Sequence, residues 1–434
     1  METLIYFCGV VVFFVGLMAS IALHEVGHMW PAKKFGVKVT EYFVGFGRRV
    51  WSFRRGETEY GFKAIPLGGY VKLVGMLPPL GDAVDGRQRV RSSNTGMFTQ
   101  LVADARNAEY ELVGPEDAER LFYRKPWWQK LIIMAGGPMM NVLIATVLFA
   151  ILIMGIGVLT PTTTVEQVSD CVIPADRTSQ VCAPTDPDSP AAAAGLQPGD
   201  EIVSFNGAEV DSWVTLSSLI RDNNDGQAAI GILRDGQSMI LQTNTTVSLR
   251  PSLEEPRAYL EAGFLGVSPT QEIVRGGPDD VAFTMGRLVK ATGAAILDMP
   301  QRMVGVAKAA VGGERELDSP MSVVGASRVA GELVSDPRST WQRRITDVVG
   351  LLAGVNLFVA LFNFLPILPL DGGHIAGALY EALRRGWARL RGRPDPGYFD
   401  VGRLLPVAYA FASVLIVMGV LLVWTDIVNP VRLQ

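Results

Sequence analysis

Two histidines and a glutamate interrupt a long apolar stretch at the start of this chain. Residues 3–23 are rich in Phe, Val, Leu, Ile and Met, and no charged residue lies between Glu2 and His24. The stretch runs directly into His-Glu-Val-Gly-His at residues 24–28. An ionisable side chain in a lipid-facing segment costs on the order of 3 kcal/mol unless it has a partner. The sequence therefore predicts that these groups have a partner within the membrane.

Three further runs are long and apolar enough to cross a bilayer, which predicts a polytopic α-helical membrane protein with four transmembrane helices. These runs cover residues 131–159, 348–370 and 404–424. A 49% share of hydrophobic residues and a positive mean hydropathy agree with this class. A cleaved signal peptide is the alternative for the first run, but that run lacks a basic N-terminal region and a cleavage-type site.

The distribution of lysine and arginine predicts how the helices are oriented. Basic residues outnumber acidic ones in 31–127 and 384–403, whereas acidic residues predominate in 161–344. Because cytoplasmic loops carry the excess of positive charge, we expect the third segment and both termini to be extracytoplasmic. Cys171 and Cys182 fall on that side, where disulfides persist. They could form a disulfide, although spacing alone does not establish the required geometry.

Short alternating strands separated by turns fill the segment from about 165 to 250. The stretch SPAAAAGLQPGDEIVSFNGAEVDSW at 189–213 closely resembles the ligand-groove region of PDZ domains. The resemblance implies a helix over Ala191–Gly195, a strand over Asp200–Phe205, and binding of an extended peptide or a chain terminus at a sheet edge. A β-rich spacer without a ligand is the alternative.

The sequence HEVGH fits the pattern H-E-x-x-H and predicts a zinc site. On a helix, His24 and His28 lie one turn apart on the same face, so one Zn²⁺ could accept both imidazoles. Glu25 could take the proton of a zinc-activated water that attacks a peptide carbonyl. The motif also occurs by chance, so a third ligand is needed to support this interpretation.

Asp371 is the candidate third ligand. It lies in NFLPILPLDGGH at 363–374, whose prolines and glycines are expected to prevent a regular helix. A carboxylate in a broken membrane segment should line a cavity or face a partner. The chain has three histidines, and all of them lie in these two motifs. Asp371 could instead pair with His28 without metal, and His374 could cap the loop rather than bind zinc.

The chain resembles the site-2 proteases in three features: HEVGH in the first transmembrane helix, LDGG in the third, and a PDZ-like domain between the second and the third. The similarity is greatest to the bacterial RseP-like branch, which cleaves membrane-anchored anti-sigma factors. It implies a zinc endopeptidase of the bacterial cytoplasmic membrane, with one Zn²⁺ per chain, that cuts single-span membrane proteins after a first extracytoplasmic cut. Its partners would be such substrates and the lipid bilayer, and no nucleic acid. The implied site has His24, His28 and Asp371 as metal ligands, Glu25 as general base and Asn363 as a substrate-positioning residue.

Two further segments acquire a role from the same resemblance. Residues 42–73 resemble the family's membrane re-entrant β-element, which implies a sheet beside the zinc that pairs with an unwound substrate strand. A cytosolic hairpin without substrate contact is the alternative for this segment. AGGPMMN at 135–141 resembles the family's second-helix motif and implies close helix packing near the site. For Asn363, a role limited to breaking the helix remains the alternative.

These expectations divide the chain into nine segments. They are transmembrane helix 1 at 1–33, the re-entrant β-element at 34–79, a cytosolic insertion at 80–127, transmembrane helix 2 at 128–160, the PDZ-like extracytoplasmic domain at 161–255, extracytoplasmic amphipathic helices at 256–344, transmembrane helix 3 with LDGG at 345–383, a cytosolic loop at 384–403 and transmembrane helix 4 at 404–425.

Two other classes of function could use parts of this sequence. A metal transporter or zinc sensor would use the same ligands, but it has no need for Glu25 beside the first histidine. A catalytically silent PDZ-bearing membrane scaffold would have a degenerate metal motif, whereas the motif here is intact. Intramembrane proteolysis is therefore the preferred interpretation.

Overall fold

The computed structural model describes residues 2–78, 115–173, 181–251, 259–315, 319–337 and 339–431. Within this part of the chain, four helices are long and apolar enough to cross a bilayer, and between 6% and 28% of each apolar window is buried inside the protein. Because so little of this apolar surface is covered by protein, lipid is the environment that suits it. The predicted number of spans is confirmed, and the chain is a membrane protein, but the third span ends at Asn363 and not at residue 370 as expected. The spans are Thr3–Lys34, Trp127–Ile156, Trp341–Asn363 and Val401–Val428.

The described residues divide into a mainly helical unit, 1–155 with 276–434, and a β-rich unit, 156–275. The helices are α1 (Glu2–Lys34), α2 (Trp127–Ala150, followed by a π-helical turn Ile151–Ile156), α3 (Pro190–Ala194), α4 (Trp213–Asp222), α5 (Pro278–Leu297), α6 (Met299–Ala310), α7 (Val323–Ser335), α8 (Trp341–Asn363), α9 (Asp371–Leu390) and α10 (Leu405–Val428).

Two long strands, β1 (Val39–Arg55) and β2 (Thr58–Leu73), form the predicted β-element after α1. Both strands bend at glycines, and Gly45 and Gly68 have positive φ angles of 94° and 107° that side-chain-bearing residues rarely adopt. Because of these bends, Glu41 of β1 pairs with two residues of β2, which are Lys72 on one side and Glu59 on the other. The bent strands form four short segments in the order 49–55, 58–63, 39–46 and 69–73. Segment 69–73 is therefore an edge of this small sheet.

The β-rich unit contains a sheet whose strands do not follow the order of the chain, together with two short helices. Its strands run in the order β10-β3-β4-β6-β7, with β5 beside β4, and β8 and β9 form a separate hairpin. Apolar residues of β4 and β6 and of helix α4 form its core. The strands are β3 (Val158–Val168), β4 (Glu201–Phe205), β5 (Ala208–Glu209), β6 (Gln227–Arg234), β7 (Gln237–Asn244), β8 (Thr246–Pro251), β9 (Tyr259–Phe264) and β10 (Val267–Val274).

The turns of this unit follow local sequence chemistry. The hydroxyl of Ser189 accepts a hydrogen bond from Ala192 N and caps α3, and Gly195 ends that helix in the left-handed conformation. Asp200, which is buried, accepts hydrogen bonds from the guanidinium of Arg234 at 2.7 Å. The Arg234 guanidinium holds the pKa of the Asp200 carboxyl below its usual value, against the opposing effect of burial.

The structure differs from the expected boundary at residue 255. Residues 256–344 were expected to contain only amphipathic helices, but β9 and β10 lie there and belong to the β-rich unit. Strand β10 pairs with β3, about a hundred residues earlier in the chain. This pairing is not visible in the local pattern of either strand. The helices α5, α6 and α7 do follow from Pro278 onward.

Cys171 and Cys182 are joined by a disulfide in the β-rich unit. Cys8 is the free cysteine of the described residues and is exposed on α1. Most of the expected cytosolic insertion, 80–127, lies outside the described residues, which resume with short 3₁₀ turns at Pro115–Arg120 and Phe122–Arg124. The expected loop at 384–403 is partly helical, because α9 extends to Leu390.

Candidate active site

The HEVGH motif lies in α1, close to the end of the first span. His24 and His28 lie one turn apart, and their Nε2 atoms are 3.3 Å from each other. The Nδ1 atom of His28 lies 2.8 Å from the carbonyl oxygen of Ile133 on α2. When Nδ1 donates to that carbonyl, Nε2 carries a free lone pair that can bind a metal. Ile133 thus orients one of the two imidazoles.

Asp371 reaches the histidines because the polypeptide breaks just before it. Helix α8 ends at Asn363, a turn follows over 364–370, and Asp371 begins α9. We expected the LDGG sequence within the third transmembrane helix and expected its glycines to oppose regular helix. The structure instead places the glycines in the first turn of a separate helix. A Cβ on Gly372 would lie 2.1 Å from Leu365 O, so glycine allows α9 to fold closely against the turn.

The three candidate ligand atoms form a nearly equilateral triangle. Oδ2 of Asp371 lies 3.4 Å from His24 Nε2 and 3.3 Å from His28 Nε2. Ligand atoms about 2.0 Å from a tetrahedral zinc ion lie about 3.3 Å from one another. The triangle therefore has the edge length of one face of a tetrahedral zinc site. Two imidazoles and a carboxylate also form a ligand set typical of catalytic zinc, with a fourth position left for water or substrate.

Helix α2 packs against the metal-binding face of α1 through glycines. A Cβ on Gly27 would lie 2.3 Å from Gly136 O, and a Cβ on Gly136 would lie 2.0 Å from Gly27 O. A Cβ on Gly137 would lie 2.2 Å from His28 Nε2 and 2.7 Å from His24 Nε2. Any larger residue at these positions would separate the helices or displace the imidazoles. The predicted close packing at AGGPMMN is therefore present.

Glu25 lies where the edge segment 69–73 of the small sheet passes α1. A Cβ on Gly69 would lie 3.0 Å from Glu25 Cγ, so the edge segment lies directly beside this side chain. Glu25 also interacts with the backbone of Val71 in the same segment. The structure thus brings together Glu25, the candidate ligands and a strand edge that pairs with no other strand of the described residues.

Asn363 and His374 lie on either side of Asp371 along the chain. Asn363 is partly buried at the end of α8. His374 lies in α9, and its Nδ1 is buried without a hydrogen-bond partner among the described residues. His374 is not part of the candidate ligand cluster, which consists of His24, His28 and Asp371.

One ion pair that supports the site was not anticipated from the sequence. Lys130 on α2 and Glu381 on α9 are both buried, and their Nζ and Oε2 atoms lie 2.8 Å apart. This pair fixes α9, which carries Asp371, to the helix that also contacts both histidines. Removing one partner of a buried pair costs about 3–5 kcal/mol, because the other charge is left buried without its counter-charge. The sequence signal would have been two opposite charges at the ends of apolar segments.

Replacing Gly137 with alanine tests the contact between α2 and the histidines. Because the new Cβ would overlap both Nε2 atoms, we expect Gly137→Ala to lower zinc affinity at least tenfold. Gly155→Ala is the matched control, since Gly155 belongs to the same span and a Cβ there has no neighbour within 4 Å. Zinc titration against a competing chelator measures the zinc affinity of both variants. Wild-type affinity in Gly137→Ala would contradict this packing.

The comparisons with known proteins agree with this geometry. Peptidase family M50 matches residues 12–393. Zinc metalloprotease Rip1 of Mycolicibacterium smegmatis is 33% identical over 443 residues, which cover 98% of each chain. Zinc metalloprotease Rip1 of Mycobacterium tuberculosis is 32% identical over 99% of this chain and 100% of its own. Metalloprotease MmpA of Caulobacter vibrioides is 25% identical over 85% of each chain.

The family match covers most of the chain, and the similarity to the two Rip1 proteins extends over nearly all of it. The predictions of a site-2-type metalloendopeptidase and of a zinc cofactor are confirmed. The chain therefore belongs to Peptidase family M50, the site-2 protease family, as a zinc metalloendopeptidase.

Proposed function

We propose that this protein cleaves single-span membrane proteins, such as anti-sigma factors, inside or at the edge of the bilayer after a first extracytoplasmic cut. The observation that carries the proposal is the position of the candidate ligand triangle. His24 and His28 lie in a helix that is long and apolar enough to span a membrane, which supports a site at membrane depth. A peptide bond within a transmembrane segment is the substrate that can reach such a site.

His24, His28 and Asp371 are the residues that we propose hold the zinc. Their mutual distances of 3.3–3.4 Å fit one face of a tetrahedral site. Zinc bound there would polarise the scissile carbonyl and make water a stronger nucleophile. Because Gly137 has no side chain, α2 can lie directly beside the two Nε2 atoms without filling the space around them.

Glu25 is the residue that we propose moves the proton. Its carboxylate lies next in sequence to one ligand and beside the strand edge, so it can take a proton from the attacking water and return it to the leaving amine. Asn363, at the end of the helix that leads to Asp371, would position the substrate by donating or accepting hydrogen bonds through its amide.

The edge segment 69–73 is the element that we propose binds the substrate. A helical substrate shields its own carbonyl groups, so it must be extended before hydrolysis, and in lipid an extended strand needs hydrogen-bond partners. An unpaired strand edge supplies such partners. Since Gly69 in this segment lies beside Glu25, a chain paired with the edge would pass close to the proton acceptor. This role corresponds to the re-entrant β-element inferred from sequence.

For the cellular arrangement we propose a bacterial cytoplasmic membrane, with the β-rich unit and both termini extracytoplasmic. The excess of lysine and arginine in 31–127 and 384–403 supports this orientation. We further propose that the β-rich unit is PDZ-like and either limits access of large ectodomains or binds a chain terminus. Strand β10 lies at one end of its sheet and could accept an added strand.

Substitution of Glu25 separates metal binding from proton transfer. We expect Glu25→Gln to retain zinc at wild-type stoichiometry but to lose about a thousandfold in the rate of peptide cleavage, because the amide cannot accept the proton. The rate is measured with purified chain in detergent and a fluorogenic peptide or a trimmed transmembrane substrate. Glu166→Gln, at an exposed carboxylate on β3, is the control and should leave the rate unchanged.

A Glu25→Gln variant that cleaves at near the wild-type rate would exclude Glu25 as the proton acceptor. If the variant lost its zinc, Glu25 would instead have a role in holding the metal. Circular dichroism and thermal unfolding of the variant and of Glu166→Gln check that both chains are folded.

Deleting the β-rich unit tests whether it limits substrate access. The amide of Gly276 donates to the carbonyl of Ile153 at 2.9 Å, so the ends that flank 156–275 are adjacent and a short Gly/Ser linker can join them. If the unit excludes folded ectodomains, the deleted chain should cleave an untrimmed substrate, and the rate of trimmed-substrate cleavage should change little. Cleavage is followed by gel mobility of both substrates, with Glu25→Gln in the deleted chain as the control.

If the deleted chain binds zinc and cuts the trimmed substrate but still rejects the untrimmed one, the access role is wrong. The unit would then be better explained as a docking domain for a partner or a chain end.

A further inference from the structure

A pocket of about 440 Å³ lies beside the last turn of α1, apart from the candidate active site. It is lined by Lys33, Phe53, Arg55, Gly56 and Tyr60. The first span ends at Lys34, so Lys33 lies where the helix leaves the apolar layer and meets the headgroups. None of these residues belongs to the ligand cluster, and the function proposed above gives the pocket no role.

The pocket carries two basic side chains, Lys33 and Arg55. Lys33 Nζ donates to the hydroxyl of Tyr60 at 2.6 Å and lies 5.0 Å from the centre of its ring. Within the described residues, neither Lys33 nor Arg55 forms an ion pair. The carboxylate of Glu57 in the adjacent turn is held by the guanidinium of Arg120, with Nη1 2.8 Å from Oε2. The pocket can therefore attract an anion.

An exposed apolar surface continues from this charged pocket. Phe53 stacks on Tyr60 with their ring centres 5.3 Å apart, and Trp51 lies 5.2 Å from Phe53. The side of the sheet that carries these rings is poorly covered by protein, since Trp51 and Phe62, which stack on each other, are each 54% exposed and Phe53 is 47% exposed. Exposed aromatic and aliphatic side chains beside basic ones match the boundary between acyl chains and headgroups.

We propose that this pocket binds the headgroup of an anionic phospholipid. The phosphate would lie between Lys33 and Arg55, and the acyl chains would lie along the apolar surface of Trp51, Phe53 and Phe62. The two basic groups select an anion, and the adjoining apolar surface selects a lipid over a free phosphate. Basic pockets at the end of a membrane span bind lipid headgroups by this combination of charge and apolar contact. The bound lipid would anchor segment 49–55 of the β1–β2 sheet at the boundary between acyl chains and headgroups.

Native mass spectrometry of the full-length chain tests this proposal. The detergent-purified protein is titrated with phosphatidylglycerol, and phosphatidylcholine serves as the zwitterionic reference. Since a basic group near a phosphate contributes about a fivefold change in affinity, Lys33→Gln and Arg55→Gln should each weaken phosphatidylglycerol binding about fivefold and the double variant more than tenfold. Phosphatidylcholine binding should change less than twofold.

Lys34→Gln is the matched control, because Lys34 lies in the same turn but does not line the pocket and its Nζ lies over the ring of Trp30. We expect Lys34→Gln to bind phosphatidylglycerol within twofold of wild type, and Lys33→Arg and Arg55→Lys to retain most of the affinity. Equal weakening in Lys34→Gln would overturn the proposal in favour of diffuse attraction to the surface. Displacement of the lipid by an equal concentration of glycerol phosphate would also overturn it, since the pocket would then be a phosphate site. Zinc content checks that each variant is folded.

Discussion

The backbone contact between α1 and α2 at Gly27 and Gly136 is the constraint on which the candidate site depends. Each glycine lies so close to the carbonyl oxygen of the other that a methyl group on either would overlap it. In a membrane the hydrophobic effect does not drive helices together, so close packing of small residues has to stabilise their association. This close approach brings Gly137 against both imidazoles and brings the Ile133 carbonyl within 2.8 Å of His28 Nδ1.

Helix α2 then connects the two halves of the ligand set, which are separated by more than three hundred residues in the chain. It contacts the histidines on α1, and through Lys130 and Glu381 it is joined to α9, whose first residue is Asp371. Both ion-pair partners are buried, so the link has a well-defined geometry. The break between α8 and α9 turns the carboxylate toward the imidazoles. The triangle of ligand atoms is therefore a consequence of helix packing around α2.

The sequence predicted which residues the candidate ligand cluster brings together, because its chemistry is concentrated in short motifs. The four-residue spacing in HEVGH is sufficient to place His24 and His28 on one face of a helix, and the long apolar runs are sufficient to locate four spans. Asp371 could be proposed as the third ligand because it is a carboxylate in a broken apolar segment, but its position at the start of a separate helix could not be foreseen. Prolines at 366 and 369 predict a break, whereas local pattern does not say on which side of the break the glycines lie.

Features that depend on contacts between distant segments were also missed, because a local sequence pattern does not show which segments meet. Because β10 pairs with β3, the β-rich unit extends beyond residue 255. Because β1 bends at its glycines and has partners on both sides, segment 69–73 lies at an edge of the small sheet. The orienting role of Ile133 has no sequence signal, since it uses a backbone carbonyl that every residue possesses. The Lys130–Glu381 pair has a signal, but only the folded arrangement shows that the two charges meet.

The central claim is that His24, His28 and Asp371 hold a single zinc ion. The zinc K-edge X-ray absorption spectrum of the purified full-length chain tests it most directly, because it reports the elements and distances around the metal. The account predicts two imidazole nitrogens at about 2.0 Å, oxygen in the remaining positions and no sulfur, with one imidazole lost in His28→Ala. A spectrum with sulfur ligands, or one that is unchanged in His28→Ala, would contradict the account.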